Sequence, residues 1–185
     1  MLVSSGYPTR MSTQPEVWLR GPIAGVDPLL IPAAHALMQT LEDAERETAH
    51  LSVEDLWRAP GDAAPIGFHL RHLAGSTDRL ITYARGERLN DAQRAALAAE
   101  KSPGNPPTDA TTLLDALRHT IDRAIEQLRR TQASALSEPR PVGRAGLPTT
   151  VLGLLFHAAE HSQRHAGQIA TTVRALRLAK RPAGE

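Results

Sequence analysis

The sequence predicts an all-α protein, a four-helix bundle with a short extra helix between the second and third long helices. Three observations carry this expectation. Apolar residues recur at helical spacing in four long segments, and no segment shows a credible strand pattern. Ala, Leu and Arg are abundant and aromatics make up only 3 % of the 185 residues, a bias toward side chains that lose little freedom in a helix. Clusters of turn-forming residues, SPGNPPT and PRPVGRAGLP, break the chain between long segments.

Residues 1–26, with Pro8, Pro15, Pro22 and several glycines, read as an N-terminal extended tail, and Met11 offers a second start. The bundle is expected over residues 27–180. Asp27 followed by Pro28 has the form of an N-cap and a first helical position. That helix runs to about Leu51, with Leu30, Ala34, Leu37, Leu41, Ala44 and Thr48 as its stripe. Trp57, in the loop DLWRAPGDAAP, reads as a plug at the end of the bundle. The second helix spans about Pro65 to Gly86, where glycine suits a C-cap. NDAQRAALAAEK reads as the short helix, because Asn90 and Gln93 are spaced as a capping box. The third helix covers about Asp109 to Gln132, with Leu113, Leu114, Leu117, Ile121, Ile125 and Leu128 inward. The last covers about Thr150 to Leu178. The long connection between helices two and three has room to cross the bundle, so simple up-down-up-down order is not implied.

Composition removes several classes of function. The net charge of +1, from 21 basic and 20 acidic residues, gives no pull toward nucleic acid or membrane. No apolar run approaches the roughly 20 residues that span a bilayer. The N-terminus lacks the apolar stretch of a signal peptide, so a cytoplasmic protein is expected. There is no cysteine, so any metal site must be built from imidazole, carboxylate and water. Gly-rich phosphate loops and nucleophile elbows are absent from the sequence.

Five of the eight histidines fall in two short helical segments, GFHLRHLAGSTDR and HAAEHSQRHAGQ. Residues four apart lie one above the other on a helix, so imidazoles at that spacing can share one ion. On a helical wheel of the last helix, the centre of the apolar face is set by Val151, Leu155, Ala158, Ile169, Val173 and Leu176. His165 lies nearest that centre and His161 next to it, which makes them the inward pair. His157 is two turns from His165, about 12 Å along the axis, and reads as pocket wall or surface. On the second helix the stripe of Ile66, Leu70, Leu73, Leu80 and Ala84 places His69 slightly closer to the apolar face than His72. His35, His50 and His119 stand alone and read as structural, since a lone histidine at a helix contact is more often hydrogen-bonded than ligating. His157-Ala-Ala-Glu160-His161 matches the HxxEH pattern of inverted zinc proteases. Glu160, however, falls opposite the apolar face, away from any ion between the helices.

The segments HLRHLAGSTDRL and HAAEHSQRHAGQI together resemble the DinB/YfiT-like superfamily of metalloenzymes, over about residues 28–178. The resemblance implies a four-helix bundle that binds a divalent metal, Zn2+ or Ni2+, through three histidines. The family's first ligand precedes a Leu-Ala step, which corresponds to His72; the other two correspond to His161 and His165. His69, His157 and Gln168 remain as residues that support a ligand or line a pocket. Members of the family resemble low-molecular-weight-thiol transferases, mycothiol-dependent isomerases or metal-bearing domains of sulfur-transfer enzymes. The resemblance therefore implies a metal-dependent enzyme acting on a small-molecule substrate, and a homodimer. The expected activity is S-transfer from a low-molecular-weight thiol or hydrolysis. Without a protein cysteine, a thiol nucleophile must be external. The reading from another class is a non-catalytic, metal-binding or stress-associated bundle. A pocket beside the open metal position, lined by polar groups such as Gln168, Tyr83 or His69, separates the two.

Overall fold

The computed structural model describes residues 14–180. Four long helices form the bundle: α1 (Ile31–Thr48), α3 (Ile66–Ala84), α5 (Ala110–Arg130) and α6 (Val151–Ala179). Two short helices, α2 (Val53–Trp57) and α4 (Asp91–Ala99), lie in the connections. A two-stranded antiparallel hairpin, β1 (Pro139–Val142) and β2 (Leu147–Thr150), joins α5 to α6.

Local chemistry sets most of the boundaries. Asp109 caps α5 by accepting from the Thr112 N–H, and Thr150 caps α6 by accepting from the Gly153 N–H. Asn90 and Gln93 form the expected capping box at α4. Helix α3 stops at Gly86, whose φ of +77° is open to glycine. Its N–H donates to the Tyr83 carbonyl and the Glu87 N–H to that of Thr82, which satisfies the last turn.

The start of α1 differs from expectation. Asp27 accepts from the Leu29 N–H through its side chain and from the Leu30 N–H through its carbonyl, closing a separate turn. The helix begins at Ile31, with Pro32 in the first turn where no N–H is required. It ends at Thr48, short of Leu51.

PRPVGRAGLP was expected only as a break, and it contains the hairpin. Pro139 pairs with Thr150 and Val142 with Leu147, while Gly143 and Gly146 take φ of +68° and +63° in the loop. Three prolines hide the strands from a propensity reading. They are tolerated because a two-stranded ribbon has only edges.

Of the tail expected over 1–26, residues 1–13, and the candidate start at Met11, lie outside the described residues. The remainder folds back on α1. Val17 is 1 % exposed, its N–H donates to Gln39 Oε1 at 2.9 Å, and His35 Nε2 meets the Gly21 carbonyl at 2.9 Å.

Helix α1 packs between α5 and α6, and α3 packs between the same two. Hence α1 and α3 occupy one diagonal and α5 and α6 the other. The connections through α2 and through the hairpin cross the bundle, whereas the long connection through α4 joins neighbours. Leu30, Leu37, Leu56, Ile66, Leu70, Leu73, Leu117, Leu128, Leu155, Ile169 and Val173 fill the core and are almost fully enclosed. Trp57 seals one end, its indole N–H donating to the Thr108 carbonyl at 2.8 Å. Gly67 makes room for that ring, since a Cβ there would lie 2.7 Å from it. Among the described residues, no helix is long and apolar enough to cross a membrane.

Candidate functional site

The neighbouring helices α3 and α6 face each other across a cluster of four imidazoles. His69 and His72 come from α3, His161 and His165 from α6. The Nε2 atoms of His72 and His161 are 2.9 Å apart, and the Nδ1 atoms of His69 and His165 are also 2.9 Å apart. Ring centroids of His72, His161 and His165 are separated by 4.6–5.1 Å. Each of these three offers a nitrogen, all within 4.8 Å of one another. Close by, the Thr77 and Ser162 hydroxyls meet at 3.3 Å and tie the same two helices together. Phe68 stacks on His72 with centroids 5.4 Å apart and planes inclined by 18°.

The helical wheel ranks burial correctly on α3: His69 is 5 % exposed, while His72 is half-buried. Depth and convergence are separate matters, and it is the flanking His72 whose Nε2 reaches His161. His157 is an exposed residue whose Nδ1 donates to Glu160 at 2.7 Å. Glu160 also takes Arg164 and so faces the surface, away from the cluster. His50 and His119 are exposed and do not join the cluster.

His72 has a partner that periodicity does not reveal. Its Nδ1 lies 2.7 Å from Glu100 Oε2, and Arg79 Nη1 donates to Glu100 Oε1 at 2.6 Å. Glu100 follows α4 and is 5 % exposed. The one signal in the sequence is Gly75, a helix-breaking residue inside α3, which marks a close approach. A Cβ at Gly75 would lie 2.6 Å from Glu100 Oε1.

Burial disfavours a proton on three of the rings. Burial, followed by the charge of His72 and His161, pushes His165 down to about 3. Burial and then His72 lower His69 and His161 as well. Burial alone would raise the Glu100 carboxyl, but hydrogen bonds from His72 and Arg79 outweigh it and hold the group ionised. An ionised carboxylate only accepts, so His72 must donate from Nδ1 and, when neutral, keep a lone pair at Nε2. His161 has a buried Nδ1 with no hydrogen-bond partner. Buried nitrogens left this way are rare. Three imidazoles with converging nitrogens, one of them backed by a carboxylate, are a donor set suited to a divalent cation.

A cleft of about 550 Å³ opens beside the cluster, lined by Ala63, Ala64, His69, Arg164, Gly167, Gln168, Thr171 and Thr172. Tyr83, expected among its polar groups, is not part of it. Tyr83 sits eleven residues beyond His72 on α3, about 16 Å along the axis, and packs on the core.

The family model of the DinB superfamily matches residues 32–169, and the chain belongs to that superfamily. Among solved structures, the chain is similar to YfiT from Bacillus subtilis, with a TM-score of 0.63 and 16 % identity over 84 % of this chain and 93 % of that one. YfiT is described as a probable metal-dependent hydrolase with an unusual four-helix bundle topology. No curated protein matches the chain.

Proposed function

We propose that this protein is a metal-dependent enzyme in which His72, His161 and His165 hold one divalent cation, zinc or nickel, and activate an external nucleophile toward a small-molecule substrate. The observation that carries this reading is the convergence of three imidazoles next to a cleft that the adjoining His69 lines; among the described residues no fourth His, Cys, Asp or Glu joins the group. A structural site would fill its fourth position with protein, whereas three protein ligands leave a position for chemistry.

When bound, the ion supplies a Lewis acid that polarises a carbonyl or acidifies a water or a thiol. The protein's own residues orient and enclose. His69 supports His165: if His165 donates from Nδ1 to His69, its Nε2 lone pair is free for the ion. Phe68 limits the rotation of His72. Gln168 and Arg164, on the cleft wall, are placed to hold polar groups of a substrate. The description of YfiT favours water as the nucleophile. The absence of cysteine requires any thiolate to arrive as a low-molecular-weight thiol. A homodimer belongs to the same proposal.

The test is metal analysis of protein purified without added metal. Assays of ester and amide hydrolysis and of thiol conjugation to electrophiles should accompany it. About one ion per chain and an activity abolished by His161→Ala with retained helix content are expected. A fully metallated protein that turns over nothing in these panels, with a protein side chain completing its coordination, overturns the enzyme reading in favour of a non-catalytic metal-binding bundle.

A further inference from the structure

We propose that Glu100 is a positioning residue that fixes the tautomer of His72, and that Gly75 exists in α3 to admit its carboxylate. The proposal rests on the reading of the histidine cluster as a metal site. Glu100 lies outside the two histidine segments, at the C-cap of α4, and is buried against α3. Its two oxygens are divided between two donors: Oε2 takes His72 Nδ1 at 2.7 Å, and Oε1 takes Arg79 Nη1 at 2.6 Å. The side chains of Glu100 and Arg79 are 6 % and 11 % exposed, so neither contact is readily exchanged for water. A proton held on Nδ1 leaves the Nε2 lone pair of His72 aimed at His161 and the cluster.

The two-donor arrangement makes the carboxylate irreplaceable by its amide. Arg79 can only donate, so an amide at position 100 would turn its oxygen to Arg79 and its NH2 to His72. The Nδ1 of His72 would then have to accept, and the ring's proton would move to Nε2, where it blocks the lone pair. Gly75 supplies an independent handle. A Cβ there would lie 2.6 Å from Glu100 Oε1 and 2.8 Å from Arg79 Nη1. Both are ends of side chains, so alanine would displace the carboxylate and leave the helix intact. By propensity alone, Gly75→Ala should favour α3.

The experiment has two readouts. Nitrogen-resolved NMR of the histidine rings in metal-free protein reports the tautomer of His72, and competition with a chromophoric chelator reports Zn2+ affinity. In the wild type His72 should carry its proton on Nδ1. Glu100→Gln should move it to Nε2 and weaken zinc binding by about 10–100-fold. Gly75→Ala should weaken zinc binding in the same direction while helix content by circular dichroism is kept or raised. A wild-type His72 protonated on Nε2, or zinc affinity unchanged in a folded Glu100→Gln variant, overturns the proposal. If the wild type binds no zinc but holds the Nδ1 proton only when Glu100 is present, the metal-site reading fails and the positioning contact stands.

Discussion

Acidifying the metal-free protein should weaken its fold in a window set by the histidine cluster. His165 falls from an ordinary value near 6.5 to about 3 in the folded protein, mainly through burial. A group whose folded pKa is depressed contributes stability that is complete above the unfolded pKa and is lost as pH falls toward the folded one. The window therefore runs downward from about pH 6.5. For His165 alone, moving from pH 7 to pH 5 corresponds to about 2 kcal/mol, from the linkage relation with these two pKa values. The ring is partly exposed, and solvent screening reduces this to roughly 1 kcal/mol. His69 and His161 are lowered for the same reason and add to the loss. The assay is urea unfolding by circular dichroism at pH 7, 6 and 5 with chelator present, in the wild type and in His165→Gln. The wild-type midpoint should fall steadily with pH and that of the variant less steeply. A wild-type midpoint that is constant or higher at pH 5, or a variant with the full slope, would refute the account of His165 as a ring whose proton burial disfavours.

Four further outcomes are expected. His161→Ala and His165→Ala should each remove most of the bound divalent ion while His157→Ala retains it, because His157 is turned to Glu160 on the surface; metal analysis after dialysis decides this. Zinc at one hundred times its dissociation constant should stabilise the protein by about 2.7 kcal/mol at pH 7, and the gain should shrink on acidification as protons compete for the rings; thermal melts with and without zinc at two pH values measure it. Ile169→Ala, at a position with 0 % exposure, should destabilise the bundle by roughly 2–5 kcal/mol without altering metal stoichiometry, and light scattering of the wild type at micromolar concentration should show a dimer rather than a monomer.

The four long helices were legible because each carries an uninterrupted apolar stripe, and the α4 capping box was legible because it is strictly local. What escaped was set by tertiary contact or by competing local signals. Asp27-Pro28 has the chemistry of a helix start but is used in a preceding turn. The prolines at 139, 141 and 148 conceal a hairpin whose pairing depends on two glycines and on the ends of α5 and α6. The diagonal placement of α1 and α3 leaves no trace in periodicity, which fixes the inward face of a helix but not its neighbour. In the cluster, the apolar stripe of α6 was enough to set His161 and His165 inward of His157, which has the same four-residue spacing and is exposed. On α3 the stripe singled out the deeper His69, while the ring that reaches His161 is His72. Glu100 was invisible because its burial comes from the path of a connection, and only Gly75 hinted at it.

The contact between His72 and His161 joins residues 89 positions apart. His161 and His165, by contrast, are neighbours on one helix and remain close wherever α6 is formed. An ion that binds there consequently senses two different events. Isolated α6 could offer it two rings, and the third arrives only when α3 has docked. The difference in affinity between a two-ring and a three-ring site would thus measure, in solution and without any label, how firmly the two helices are held together. Cobalt in place of zinc would turn that docking into a change of colour.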